Sequence, residues 1–211
     1  TACRAPCNRG TGISYPLANG PVDFDSGELG YGPKGFSAAA NLPASAYKSG
    51  GLSSQRGTVL MLDEHKRNLM PSVVWNDGRA LKYQEEFGKE ISPEDYQTHT
   101  GMQLSPLWTA AKIAWLRDND KDVFGRTRWF ANGQEYFLHR MGAEEWVTDP
   151  ASLTLNGMME IEKLDWSDRI LALCGIDRDR VPPVGIPSGQ AGTLSETAAA
   201  ETGKYTSSSS R

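Results

Sequence analysis

The sequence predicts a mixed α/β domain, on three observations. Val59 to Leu62, Val73 to Trp75 and Arg128 to Ala131 are short runs with the length and β-branched or aromatic content of buried strands. Between them stand segments opened by Ser-Pro and closed by glycine, which is the start and stop chemistry of helices. The third run passes through Asn132-Gly133 straight into a helical segment, Gln134 to Met141, and a strand feeding a helix suits an α/β layer.

In chain order, Thr1 to Gly50 is rich in Gly, Pro, Ala and Ser and reads as irregular or disordered, with one helical patch at Phe36 to Ala40. Gly10-Thr11-Gly12 is read as a turn, since no Asp precedes it. Val59 to Leu62 and Val73 to Trp75 form a hairpin-like unit whose turn follows Asp63-Glu64-His65. That triplet is read as a charged hairpin tip rather than a metal cluster. Leu81 to Lys89 is a short amphipathic helix that Gly88 ends. Ser92-Pro93-Glu94-Asp95 opens a second helix closing near Gly101: the Ser oxygen meets free amides, Pro lacks an N–H where none is needed, and the acids face the positive end.

Ser105-Pro106 repeats that start, and Trp108, Ala111 and Trp115 follow with helical spacing; Lys112 is assigned to the solvated face of this helix. The helix Gln134 to Met141 ends at Gly142. Thr148 to Asn156 reads as a polar loop and Met158 to Ile161 as a strand. Ser167 opens a helix that stops at Gly175. Ser195 to Thr202 is helical by its alanines, and Lys204 to Arg211, with four serines, reads as a tail. Neither His99 nor His139 has an acidic residue three or four positions after it, and both are read as structural. The organisation is therefore residues 1–48 irregular, 49–203 the domain, and 204–211 the tail.

At 211 residues the chain can bury one substantial core. A formal charge of -4 without a basic block argues against nucleic acid and anionic membrane as main partners and directs attention to a small molecule. No apolar run approaches the ~20 residues of a membrane helix, and the start lacks a signal-peptide pattern, as expected of a cytoplasmic enzyme. Cys3 and Cys7 lack metal-finger spacing, and Cys174 closes an apolar helical pattern as a buried thiol.

The densest cluster of polar groups lies at the ends of the hairpin-like unit: Gln55, Arg56, Asn76, Asp77 and Arg79, with Trp75 beside them. Strand ends are where α/β sheets usually meet ligands. Directional donors and acceptors bind vicinal hydroxyls, and an indole face suits sugar C–H groups. Arg79 is equally suited to a structural pairing with Asp77 or Glu85.

Gly51-Leu52-Ser53-Ser54-Gln55-Arg56-Gly57-Thr58, followed by Trp75-Asn76-Asp77-Gly78-Arg79, resembles the first-domain segment of the FGGY family of carbohydrate kinases. Further segments come in the order that family shows: Thr100-Gly101, Leu104 to Leu116, Gln134 to Arg140, Thr148 to Ser152, Asp165-Trp166-Ser167, Gly175-Ile176-Asp177, Val181-Pro182-Pro183 and Gly192-Thr193-Leu194. The resemblance implies an α/β, ribonuclease-H-like fold of the actin-like ATPase superfamily: the first lobe of a sugar kinase, incomplete. It implies substrate contacts at Gln55, Arg56, Gly57, Trp75, Asn76, Asp77, Arg79 and Trp108. In relatives resembling glycerol kinase the Gly57 position is acidic, so glycerol fits less well.

The implied reaction is transfer of the ATP γ-phosphoryl group to a hydroxyl of a sugar or polyol, with Mg2+ and lobe closure to exclude water. The family's first phosphate strand, Asp-x-Gly-Thr, and its Gly-rich segment with the proton-accepting Asp are not found in this sequence. The chain is accordingly expected to be a fragment that binds sugar, binds ATP and Mg2+ weakly at most, does not turn over alone, and needs the second lobe as partner. An uncovered sheet edge would favour self-association. The alternative from another class is a non-catalytic carbohydrate-binding or interaction module. An actin-like or chaperone ATPase would need the same missing phosphate loops.

Overall fold

The computed structural model describes residues 52, 54–185 and 190–202. The readings of Phe36 to Ala40, Cys3, Cys7, Gly10-Thr11-Gly12 and the tail Lys204 to Arg211 lie outside the described residues.

Strand β1, Leu60–Leu62, is buried along its whole length. Alternation sends its side chains to two cores. Val59 and Met61 join a large cluster with Val73 and Phe130, while Leu60 and Leu62 join Ala131 and Tyr136 in a smaller one. A strand covered on both faces reads as an unbroken apolar run, as this one does.

The hairpin with Val73 to Trp75 shrinks to one bridge, in which Val59 and Val73 exchange N–H···O bonds of 3.0 Å. The chain then turns, with Asp77 N donating to Val74 O at 3.1 Å, and Asp77 caps a 3-10 turn at Gly78–Ala80. That cap takes the backbone out of the ladder before a strand can extend.

Helix α1, Tyr83–Glu90, runs through Gly88 rather than ending there. Tyr83, Phe87 and Ile91 fall on one buried face at four-residue spacing, and that burial outweighs the ~1 kcal/mol penalty of a helical glycine. Helix α2, Pro93–Thr100, has the expected ends: Ser92 Oγ accepts from Asp95 N at 3.0 Å and Gly101 takes φ 73°. Helix α3, Thr109–Asn119, begins later than Ser105-Pro106 implies. Ser105 Oγ is used in a turn, accepting from Leu107 N at 3.2 Å, and the helix's first turn is capped from afar, Ala110 N donating to Asn156 O at 3.0 Å. A partner 46 residues away along the chain is invisible to local capping rules.

Helix α4, Lys121–Arg126, was not foreseen; Asp120 caps it, accepting from Val123 N at 3.1 Å. Strand β2, Trp129–Ala131, lies antiparallel to β1 with Met61 opposite Phe130, so the ladder partner of β1 is β2. Helix α5, Gly133–Met141, ends at Gly142 with φ 105°. Helix α6, Pro150–Thr154, replaces the expected polar loop: Asp149 Oδ1 accepts from Ser152 N at 2.8 Å, the same cap-then-Pro device as Ser92-Pro93. Strands β3, Met159–Glu160, and β4, Asp165–Trp166, pair antiparallel. Helix α7, Asp168–Cys174, starts on the Ser167 cap and stops at Gly175, φ 76°. Helix α8, Glu196–Thr202, is the last described element.

The centre of the large core is α3, buried at every residue from Thr109 to Ala114 and at Leu116. Cys174 lies against it, Sγ 3.5 Å from Ala110 O, and burial pushes the thiol up to about 12, which makes it the inert packing group its position implies. Both histidines have structural surroundings: His99 Nε2 is 2.6 Å from Ser167 Oγ, and His139 stacks edge-on to Trp146 at 5.8 Å. Asp63 closes the hairpin tip by accepting from His65 N (2.8 Å) and Arg67 N (2.9 Å), and among the described residues no cluster of His, Cys, Asp or Glu suits a metal ion.

Glu135 is the buried acid of the domain. It accepts from Asn132 N at 2.6 Å and Asn132 Nδ2 at 3.1 Å at the start of α5. Burial pushes its carboxyl up, with hydrogen bonds opposing. The folded chain therefore keeps this proton at pH values where the unfolded chain has released it, so Glu135's contribution to stability falls as pH rises above the ordinary glutamate range. Glu135→Gln is expected to gain stability relative to the native chain between pH 5 and pH 8, as estimated from urea melts at both pH values; an unchanged difference would contradict the assignment.

Candidate functional site

Four chain segments meet beside the N-terminus of α3: the loop at Gln55–Gly57, the turn at Trp75–Asp77, the approach to α3 at Leu107–Trp108, and the α6 region from Ala151 to Leu155. The first two are held face to face by Gly57. Its φ is 73°, a left-handed conformation that glycine adopts without strain, and a Cβ there would stand 3.2 Å from Trp75 Cβ and 3.7 Å from Leu155 O. A glycine is needed both for the turn and for the close approach.

Around that contact Arg56 is exposed, its guanidinium bonded to Ala151 O at 3.4 Å, which leaves most of its donors to solvent. Trp75 is 47% exposed, the largest open aromatic surface among the described residues, and Asn76 beside it is exposed as well. Gln55, next to Arg56 in the chain, is partly buried, with its Oε1 shielded from solvent and without a hydrogen-bond partner. An orphaned buried acceptor of this kind is uncommon and wants a donor.

Asp77 and Arg79 are joined to each other. Arg79 Nε and Nη2 donate to Asp77 Oδ1 and Oδ2 at 2.8 and 2.9 Å, and Arg79 N donates to Oδ1 at 2.9 Å. Burial alone would raise the Asp77 carboxyl, but the Arg79 bonds and the charges of Arg79 and Lys112 hold it below the usual carboxylate range. The Arg79 guanidinium also stacks 4.8 Å over Trp115 of α3, so the structural pairing foreseen for Arg79 is the one formed. Trp108 is half-buried against the main core, with Nε1 donating to Gln103 O at 2.7 Å and its Cβ beside Gly157.

Lys112 overturns its assignment to a solvated face. It is 1% exposed, and its ammonium donates to Trp75 O at 3.2 Å and to Leu107 O. Burial pulls it down to about 8, Asp77 opposing and Arg79 adding to the fall. Helical spacing sets Lys112 between Ala111 and Trp115, on the same face as Trp108. A lone cation inside the apolar run Ala110 to Leu116 was the signal that could have found it. The arrangement presents an indole face, an exposed guanidinium and an amide side by side on a charge-paired base, which suits a small polyhydroxyl ligand.

The described architecture and its relatives agree. The model of the FGGY family of carbohydrate kinases, N-terminal domain, matches residues 36–207. The gluconokinase of Bacillus subtilis (strain 168) is 26% identical over 129 residues, which make up 61% of this chain and 25% of that protein. The xylulose kinase of Escherichia coli (strain K12) is 29% identical over 135 residues, 64% of this chain and 27% of the relative. Among solved structures, a xyloylose kinase from Brucella ovis superposes with a TM-score of 0.71 at 27% identity, covering 81% of this chain and 34% of that one. The chain thus spans about a quarter to a third of the length of these relatives. Their first-lobe α/β fold is the fold of this chain, with the described residues covering part of it.

Proposed function

Because the chain belongs to the FGGY family of carbohydrate kinases, we propose that its protein transfers the γ-phosphoryl group of Mg-ATP to a hydroxyl of a sugar or polyol, and that these residues supply the sugar side of the site. The observation that carries this reading is the juxtaposition of exposed Arg56, Trp75 and Asn76 around Gly57, with the unpartnered Oε1 of Gln55 on the same loop as Arg56. Trp75 packs against the C–H face of the sugar, Arg56 and Asn76 bond its hydroxyls, and a hydroxyl donor satisfies Gln55. The Asp77–Arg79 pair and Trp108 hold these groups in place, so that binding energy goes into orientation rather than into ordering the loops.

Among the described residues no group of His, Cys, Asp or Glu fits the Mg2+ of Mg-ATP. The family's Asp-x-Gly-Thr strand and its Gly-rich segment with the proton-accepting Asp are not found in this sequence, so the proposed role of the chain by itself is sugar binding without turnover.

Thermal melts of the chain with xylulose, gluconate, glycerol and Mg-ATP test it. One sugar is expected to raise the melting temperature, Arg56→Ala to abolish that rise, and Mg-ATP to leave the melt unchanged. Sugar binding by a full-length protein that transfers no phosphate would make it a carbohydrate-binding module. A melt that no sugar moves would sink the proposal.

A further inference from the structure

The buried ammonium of Lys112 is the only charged side chain among the described residues shown donating to carbonyls of both Trp75 and Leu107, and these two carbonyls belong to different walls of the candidate site. From this geometry we infer that Lys112 is a positioning residue: it clamps the Trp75–Asp77 turn to the Leu107–Trp108 segment and so sets the width and rigidity of the sugar-binding face. The inference rests on the sugar-kinase reading for its ligand, but the clamp itself is a property of the fold.

Three features make the clamp specific. Lys112 grows from α3, which is buried on nearly all sides and cannot shift to follow a loop. Each tethered segment also has ties of its own, Asp77 to Arg79 with its stack on Trp115 on one side and Leu107 N to Ser105 Oγ and Trp108 Nε1 to Gln103 O on the other, but none of these runs between the two walls. The turn bond from Asp77 N to Val74 O is 3.1 Å, and that from Trp108 N to Ser105 O is 3.5 Å; both link residues three apart, so neither joins one wall to the other. The side chains next to the two accepting carbonyls point outward: Trp75 is 47% and Leu107 36% exposed. A buried charge used this way is retained for geometry rather than for net stability, because desolvating it offsets much of what its bonds return. The charged groups that face it are Asp77 and Arg79, already paired with each other, so the two carbonyls remain the acceptors the structure gives its donors.

Lys112→Met keeps the stem and removes the donors. Hydrogen exchange is expected to speed up by about tenfold or more at the amides of Asp77 and Trp108, the loss expected for hydrogen bonds from a charged donor, while β1, β2 and the body of α3 keep their protection. Affinity for the sugar that stabilises the native chain is expected to fall by a similar factor. Lys112→Arg, whose guanidinium keeps the charge and carries donors enough for both carbonyls, is expected to restore most of both. Should the Met variant fail to fold, Lys112→Gln, with one shorter donor, is read in the same way.

Unchanged exchange at Asp77 and Trp108 overturns the clamp. Loss of protection spread evenly over the strands and α3 overturns it too, because Lys112 would then merely hold the core together. Faster local exchange with unaltered sugar affinity overturns the positioning role. If no sugar binds the native chain, the kinase reading fails separately and the exchange experiment alone decides the clamp.

Discussion

Gly157→Ala is expected to lower the melting temperature by roughly 5–15 °C. Gly157 sits at φ 69°, and a Cβ there would stand 2.5 Å from the Tyr96 hydroxyl and 2.8 Å from Trp108 Cβ. Tyr96 cannot retreat, because its hydroxyl donates to Gly157 O at 2.6 Å and its ring is 1% exposed. The left-handed backbone costs about 1–2 kcal/mol for a non-glycine residue, and forcing a methyl into a packed core roughly 1–3 kcal/mol more. In a domain of this size each kcal/mol moves the midpoint by ~2–4 °C. Gly125→Ala is the control: it lies in α4 with open space around it and should stabilise slightly. A Gly157→Ala midpoint within about 2 °C of the native chain would show that the packing around Tyr96 and Trp108 is looser than described.

Gly57→Val should have the largest effect on ligand binding. A β-branched residue at φ 73° is strained, and its side chain would meet Trp75 across a 3.2 Å gap. The loop must then leave its conformation, carrying Arg56 off Ala151 and Trp75 off its seat. Sugar-dependent stabilisation is expected to vanish, a loss of at least about a hundredfold in affinity by the sensitivity of oriented contacts to displacement. The melting temperature without sugar should fall much less than in Gly157→Ala, because Gly57 borders solvent-facing loops. Retained sugar binding by a folded Gly57→Val protein would move the sugar site away from Arg56 and Trp75.

Much of the fold was legible wherever its cause is local. Ser92-Pro93 caps α2, Gly101, Gly142 and Gly175 end their helices, and Val59 to Leu62 is a buried strand, because capping oxygens, left-handed glycines and apolar runs act within a few residues. Three of the differences share one cause. The start of α3 is displaced by Asn156, Gly88 is overridden by the buried face of Tyr83, Phe87 and Ile91, and β1 pairs with β2 rather than with the nearer Val73 run. Each was decided by a contact distant in sequence or by tertiary burial. Helix α6 is different, since Asp149-Pro150 carries the same local signal as Ser92-Pro93 inside a segment whose polar composition reads as loop.

For the candidate site, the motifs around Gln55 to Gly57 and Trp75 to Arg79 carry the resemblance to the family, and their residue types set a polar cluster there. Tertiary structure decided how they are used. It sent Asp77 and Arg79 into a mutual pair, left Arg56, Trp75 and Asn76 open, and drew Lys112 inward to two carbonyls. The physical reason is that a side chain's chemistry is written in the sequence, whereas its burial and its partners depend on which distant backbone groups the fold brings within reach.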